Sequence, residues 1–123
     1  MCAPDELNAQ QALLTWEESA AVLQIDASQG IARAQRLLAM RYLRGRGVSK
    51  DEAIAFYWMQ LAAQQHFSLA QRSLGELYER GSGIALDITQ ASHWYRLAAL
   101  QGDCFAKEHL QRLAQPINAT VPL

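Results

Sequence analysis

Small and apolar residues return along this chain in steps of three and four. From residue 34 they run Ala34, Leu38, Tyr42, then Ala55, Trp58 and Ala62-Ala63. That is the spacing of one helix face, interrupted once and then resumed. Thirty-six residues later the series repeats as Ala70, Leu74, Tyr78, Ala91, Trp94 and Ala98-Ala99. Laid over each other, 34–69 and 70–105 share 15 of 36 residues. A fixed period of this length marks stacked supersecondary units. Each unit reads as two helices, A at 31–44 and B at 52–65 in the first, A at 68–80 and B at 88–101 in the second. The alanines let antiparallel helices approach closely, and Trp and Tyr fill the space between hairpins.

The boundaries carry their own signals. Gly45-x-Gly47-Val48 and Gly81-x-Gly83-Ile84 separate A from B, and the spacing matches neither a phosphate loop nor a dinucleotide fingerprint. It reads as a tight turn, with Val48 and Ile84 expected to tuck back as apolar plugs. Asp51 and Asp87 stand where helix B needs an N-cap, and Thr15 lies 36 residues before Asp51. Thr15 with Glu18 forms a capping box that opens a helix over 16–29. Gly30 and Gly102 mark the helix exits, and His66 holds the equivalent place between them. Residues 5–14 are good helix formers with acids at the start, so a shortened first helix is expected there. Asp103 caps a last helix over 104–114, and Pro116 stops it. The prediction is all-α: a single-domain α/α-hairpin repeat solenoid. It has a partial repeat at 1–33, full repeats at 34–69 and 70–105, a capping helix at 106–115 and a tail at 116–123, frayed or folded over the stack.

Composition narrows the partners. A net charge of −1 argues against nucleic acid. No apolar run approaches the roughly 18–20 residues of a membrane span. The start, Met1-Cys2-Ala3-Pro4, has neither the basic nor the apolar segment of a signal peptide. Cys2 would be a lipoprotein cysteine only in a trimmed chain. Cys2 and Cys104 form no disulfide framework, which points to a reducing cytoplasm, with the periplasm as the alternative if a signal was removed. Without secretion the triplet Asn118-Ala119-Thr120 has no meaning as a glycosylation site. Charge is unevenly placed: 1–32 holds five acids and no Lys or Arg, while 33–50 holds Arg33, Arg36, Arg41, Arg44, Arg46 and Lys50 and no acid.

The set of Gly-x-Gly-Val/Ile turn, following Asp, Ala-x-x-Trp and Ala-Ala resembles the Sel-one-like repeat family, a relative of the tetratricopeptide repeats. The resemblance covers 34–105, with partial units on both sides. It implies helix A on a concave surface, helix B on a convex one, and an adaptor or scaffold role, often bacterial. It implies no shared catalytic or ligand residues. Two departures between the units stand out: Arg41 against Leu77, and Met59 against Tyr95. The first unit is more polar on helix A, and the acidic N-terminal helix is its expected neighbour.

Candidate chemistry is sparse. His66, His93 and His109 do not cluster, and His93 is expected at the edge of the convex face. Cys104 and His109 lie roughly 140° apart around a helix and cannot share a metal from one face. No metal site, cofactor site or nucleophile frame is expected. Some cysteine-rich relatives have been credited with β-lactam-directed activity, but their paired cysteines are missing here. What remains is surface. On the concave side packing leaves Arg33, Arg36, Leu37, Met40 and Arg44, then Arg72, Ser73, Glu76 and Arg80, then Glu108, His109 and Arg112. Such a groove suits an acidic, partly apolar peptide or helix, because the Arg fork binds carboxylates and Met adapts its shape. The competing reading leaves these positions as solvated helix faces, or pairs the basic run with the acids of 1–32. Phe56 and Tyr57 stand on the convex side opposite Ser92 and His93. They read as packing first and as a patch for self-association second. The expected function is a non-catalytic adaptor for a protein or peptide partner, with a weak homodimer allowed. An immunity protein that plugs a toxin is the alternative, and an enzyme or ligand-binding domain using the same groove ranks below both.

Overall fold

Capping chemistry sets the helix starts. Asp51, Asp87 and Asp103 each accept a backbone N–H three residues on, from Ile54 at 3.1 Å, Gln90 at 3.1 Å and Ala106 at 2.9 Å. Each such bond satisfies an otherwise orphaned donor and is worth about 1 kcal/mol. In the computed structural model, which describes residues 16–115, the helices are α1 (Trp16–Ser28), α2 (Ala32–Arg44), α3 (Glu52–Gln64), α4 (Ser68–Arg80), α5 (Ile88–Leu100) and α6 (Cys104–Ala114). Each lies within one residue of its sequence-based bounds. The expected helix at 5–14, the Thr15 cap, Cys2 and the tail lie outside the described residues.

The ends of the A helices are equally regular. Gly45 and Gly81 take left-handed backbone at φ 68° and 69° and donate to the Arg41 and Leu77 carbonyls. The turn then closes when the Asp51 and Asp87 amides each donate to Tyr42 and Tyr78, both at 3.0 Å. One aspartate thus does two jobs: its amide ends the turn and its carboxylate starts the next helix. At the exit of α3, His66 takes the same left-handed backbone as a glycine, at φ 66°. An L-residue there costs roughly 1–2 kcal/mol.

Consecutive helices pack as antiparallel pairs and stack in chain order. Ala39, Ala55, Met59, Ala62, Ala63, Ala70, Leu74 and Leu77 form the central buried cluster. Smaller clusters lie on either side, around Leu38 and around Tyr95, with Tyr42 and Tyr78 packed between neighbours. Buried Gln35 and Gln71 stitch successive units. Gln35 donates to Ala27 O and accepts from Gln65, and Gln71 donates to Ala63 O and accepts from Gln101. Each therefore satisfies a helix-end carbonyl of the preceding hairpin.

The apolar plugs are partial: Val48 is half-buried, and Ile84 keeps 36% of its surface exposed. The close approach in that turn belongs to the Gly83 backbone, which sits on Glu52 and Phe56 of α3 and leaves Ile84 at the rim.

Candidate functional site: the cleft between the A helices

A 36-residue period places equivalent residues of α2 and α4 side by side. Met40 and Arg44 face Glu76 and Arg80, with Leu43, Ser73 and Leu77 between them. The result is an open cleft of about 490 Å³, completed by Glu52 at the start of α3 and by the Gly81-Ser82 turn. Leu77 and Ser73 are buried and form its floor, while Arg44 and Arg80 are exposed at the C-terminal ends of their helices. Arginine is stable there because its charge meets the negative pole of the helix dipole. Met40 is half-buried and adaptable in shape. Two guanidiniums and two carboxylates around apolar walls make the cleft polar-rimmed and locally near neutral. Glu52, Leu43 and Leu77 were absent from the sequence-based set, because the hairpin turn and not helix A's own spacing delivers Glu52.

The gap between α4 and α6 is closed. Arg72 Nε donates to Asp103 Oδ2 at 3.0 Å, lies 3.9 Å from Glu76, and its guanidinium covers the Phe105 ring at 5.1 Å. His109 Nε2 is 3.3 Å from Glu76, and its ring stacks on Tyr95 at 4.7 Å. Arg112 donates to Glu79, with Nη2 at 3.0 Å, and also contacts His109 Nδ1. Glu79 in turn accepts from the Tyr95 hydroxyl at 2.7 Å. Arg72, His109 and Arg112 are therefore occupied in fastening α6 to the stack, and Glu108 is exposed beside them. Sequence reasoning missed Glu79 because its counterpart is the apolar Leu43.

Arg33 and Leu37 face the other way, into a second cleft of about 470 Å³ against Ser19, Val22, Leu23 and Asp26 of α1. Arg41 donates to Ser19 Oγ at 2.8 Å, so helix A of the first unit does meet α1 through its polar departure. Arg36, one helical turn before Met40, is half-buried and lines neither cleft. Its Nε is buried without a hydrogen-bond partner among the described residues. Burial first and the Arg72 guanidinium second hold its pKa below the usual arginine value, with Glu76 opposing and Arg44 reinforcing.

On α3 Phe56 turns inward, edge-to-face with Tyr78 at 5.5 Å, while Tyr57 stays 54% exposed beside Trp58. His93 is exposed against Trp94. Among the described residues no three His, Cys, Asp or Glu side chains gather as metal ligands.

The Glu79 cluster carries a pH signature. The Arg112 hydrogen bond, then that of Tyr95, lower the Glu79 pKa against an opposing effect of burial. Folding thus stabilises the ionised form; the benefit is present above the unfolded glutamate value, about 4.3, and disappears as pH falls through the lower folded value. Urea unfolding at a series of pH values should show wild type losing stability below about pH 4 more steeply than Glu79→Gln, with the two curves converging in acid. Parallel curves would remove this role.

Comparison with known proteins agrees with this architecture. A family model described as the Sel1 repeat matches residues 32–67 and 68–103, together more than half of the chain. The chain belongs to the Sel1 repeat family. These are the Sel-one-like repeats that the turn, cap and Trp pattern resembled. A Sel1 repeat protein from Oxalobacter formigenes is 44% identical, with a TM-score of 0.75 over 78% of this chain and 72% of that one. A protective antigen with an SLR fold from uropathogenic Escherichia coli is 33% identical, with a TM-score of 0.74 over 75% of this chain but only 20% of the antigen. Cysteine rich protein B of Helicobacter pylori shares the fold, with a TM-score of 0.76 over 80% and 74% of the two chains at 20% identity. No curated protein matches the chain significantly. Sel1 repeat proteins are generally protein-interaction scaffolds, and the fold is typically non-catalytic. None of the described helices is long and apolar enough to cross a membrane.

Proposed function

We propose that this Sel1 repeat protein is a non-catalytic adaptor that holds a segment of a partner protein in the cleft between α2 and α4. One observation carries the reading: the gap between successive A helices is open in the first step of the stack and fastened shut by ion pairs in the second. A floor of Leu77 and Ser73 beside Met40, with Arg44 and Arg80 at one end, fits a segment that presents an apolar side chain and an acidic group. The exposed thiol of Cys104 suits a reducing cytoplasm.

The test is affinity capture with mass spectrometry. Met40→Arg with Arg80→Glu fills the cleft and replaces one rim guanidinium by a carboxylate without touching the α6 fastening. Capture should fall by about tenfold or more while helicity by circular dichroism is unchanged. Tyr57→Ala on the convex face should capture as wild type. If the convex change abolishes capture and the cleft change does not, the partner sits on the convex side and the reading fails.

A further inference from the structure

Two arginines recur between the units, Arg36 with Arg72 and Arg44 with Arg80, and the copies of the first pair differ in what they face. Arg72 is paired with Asp103 and covers Phe105. Arg36 holds the same place thirty-six residues earlier, where the residue equivalent to Asp103 is Phe67 and the one equivalent to Phe105 is Leu69. The acid that neutralises the second copy is therefore missing from the first. Arg36 Nε is buried without a partner among the described residues, and Glu76 acts on it only from beyond ion-pair distance. A partly desolvated guanidinium without a counter-ion is unfavourable, and nearby Arg44 and Arg72 add repulsion. Among the described residues Arg36 has no counter-ion within ion-pair distance, and the exposed part of its side chain leaves room for an anion from outside the chain.

We infer that Arg36 anchors a carboxylate of the partner segment, an Asp or Glu side chain or a chain terminus, with Arg44 taking a second acid further along. This rests on the cleft reading above and names the chemistry the cleft selects. Arg36, Met40 and Arg44 recur every four residues along α2, so the two arginine positions are about 12 Å apart along the helix with a methionine midway. The complementary segment presents acid, bulky apolar residue, acid over the same distance. Glu52 and Glu76 near the cleft favour a singly charged carboxylate over a doubly charged phosphate.

The probe is a blocked helical peptide with two Glu residues eight apart around a central Leu, compared with the same peptide carrying Gln for Glu. In a nitrogen-15 titration the Nε–Hε signals of Arg36 and Arg44 should move with the Glu peptide and stay still with the Gln peptide. Arg36→Leu should weaken Glu-peptide binding about tenfold or more while leaving the melting temperature unchanged or raised. Phe67→Asp, which installs the acid of the second unit, should reduce binding with Arg36 still present. Should Phe67→Asp fail to fold, Arg36→Leu alone decides. If Arg36→Leu binds as wild type and Met40→Arg does not, the carboxylate anchor is overturned and the cleft reading stands. If neither change matters, both are overturned. No shift with the Glu peptide in wild type also overturns the anchor. Inorganic phosphate moving Arg36 at lower concentration than acetate overturns the carboxylate assignment.

Discussion

Gly83→Ala should be the most damaging single methyl group in this protein, lowering stability by about 3 kcal/mol or more. Gly83 lies at φ +77°, where a Cβ is strained by itself. The added carbon would also fall on the Glu52 carbonyl oxygen, 2.7 Å from the Glu52 carbonyl carbon and 3.1 Å from Phe56 Cβ. Backbone cannot rotate away as a side chain can, so the turn of the second unit must lift off the start of α3. Gly102→Ala is the control: its φ is +98°, but no atom lies within 4 Å of the added carbon. That change should cost only the backbone strain, roughly 1–2 kcal/mol. Thermal unfolding of the pair separates the two contributions, since 1 kcal/mol moves the midpoint of a domain this size by about 4 °C. Equal shifts would mean that the turn-to-helix contact is unimportant. Because Glu52, Gly81 and Ser82 also line the concave cleft, lifting the turn should loosen partner binding together with stability.

The second large effect is at Gly75, in the middle of α4. Glycine in a helix interior normally costs about 1 kcal/mol against alanine, so Gly75→Ala would stabilise an isolated helix. In the folded chain the new Cβ would lie 2.7 Å from Cδ1 and Cε1 of Tyr95. Tyr95 is fully buried, and its hydroxyl is held by Glu79 at 2.7 Å, so the ring cannot slide outward. Burial, followed by that bond, also raises the Tyr95 pKa and keeps the phenol protonated as the donor. Overpacking of this kind costs about 1–3 kcal/mol and should exceed the helix gain. The first unit shows the rescue: Ala39 and Met59 occupy the equivalent positions. The double change Gly75→Ala with Tyr95→Met should therefore recover much of the loss of Gly75→Ala, giving a non-additive cycle under urea unfolding. Additive losses would mean that the glycine and the tyrosine are independent.

That exchange shows why part of the structure escaped the sequence. The difference between Met59 and Tyr95 is plain when the units are compared, and nothing along the chain gives its reason. Its partner, Ala39 against Gly75, lies on another helix, and only packing reveals that one made room for the other. The arginines behave similarly. Arg36 and Arg72 are identical in sequence, and a projection of helix A gives them one role. Their fates separate at residues 67 and 103, on the next hairpin, where one copy meets Phe and the other an N-cap Asp.

By itself the sequence determined the all-α solenoid, the helix bounds, the turn glycines and the aspartate caps. These depend on interactions within a few residues of each other, and a 36-residue period displays them twice. The tertiary structure alone decided which gap between A helices stays open, which arginines are neutralised, and how closely the second turn sits on α3. Those outcomes depend on side chains that meet across hairpins, such as Arg72 with Asp103, Arg112 with Glu79 and Gly83 with Glu52. Charge pairing and close backbone approach act through space over a few ångströms, and no periodicity along the chain records them.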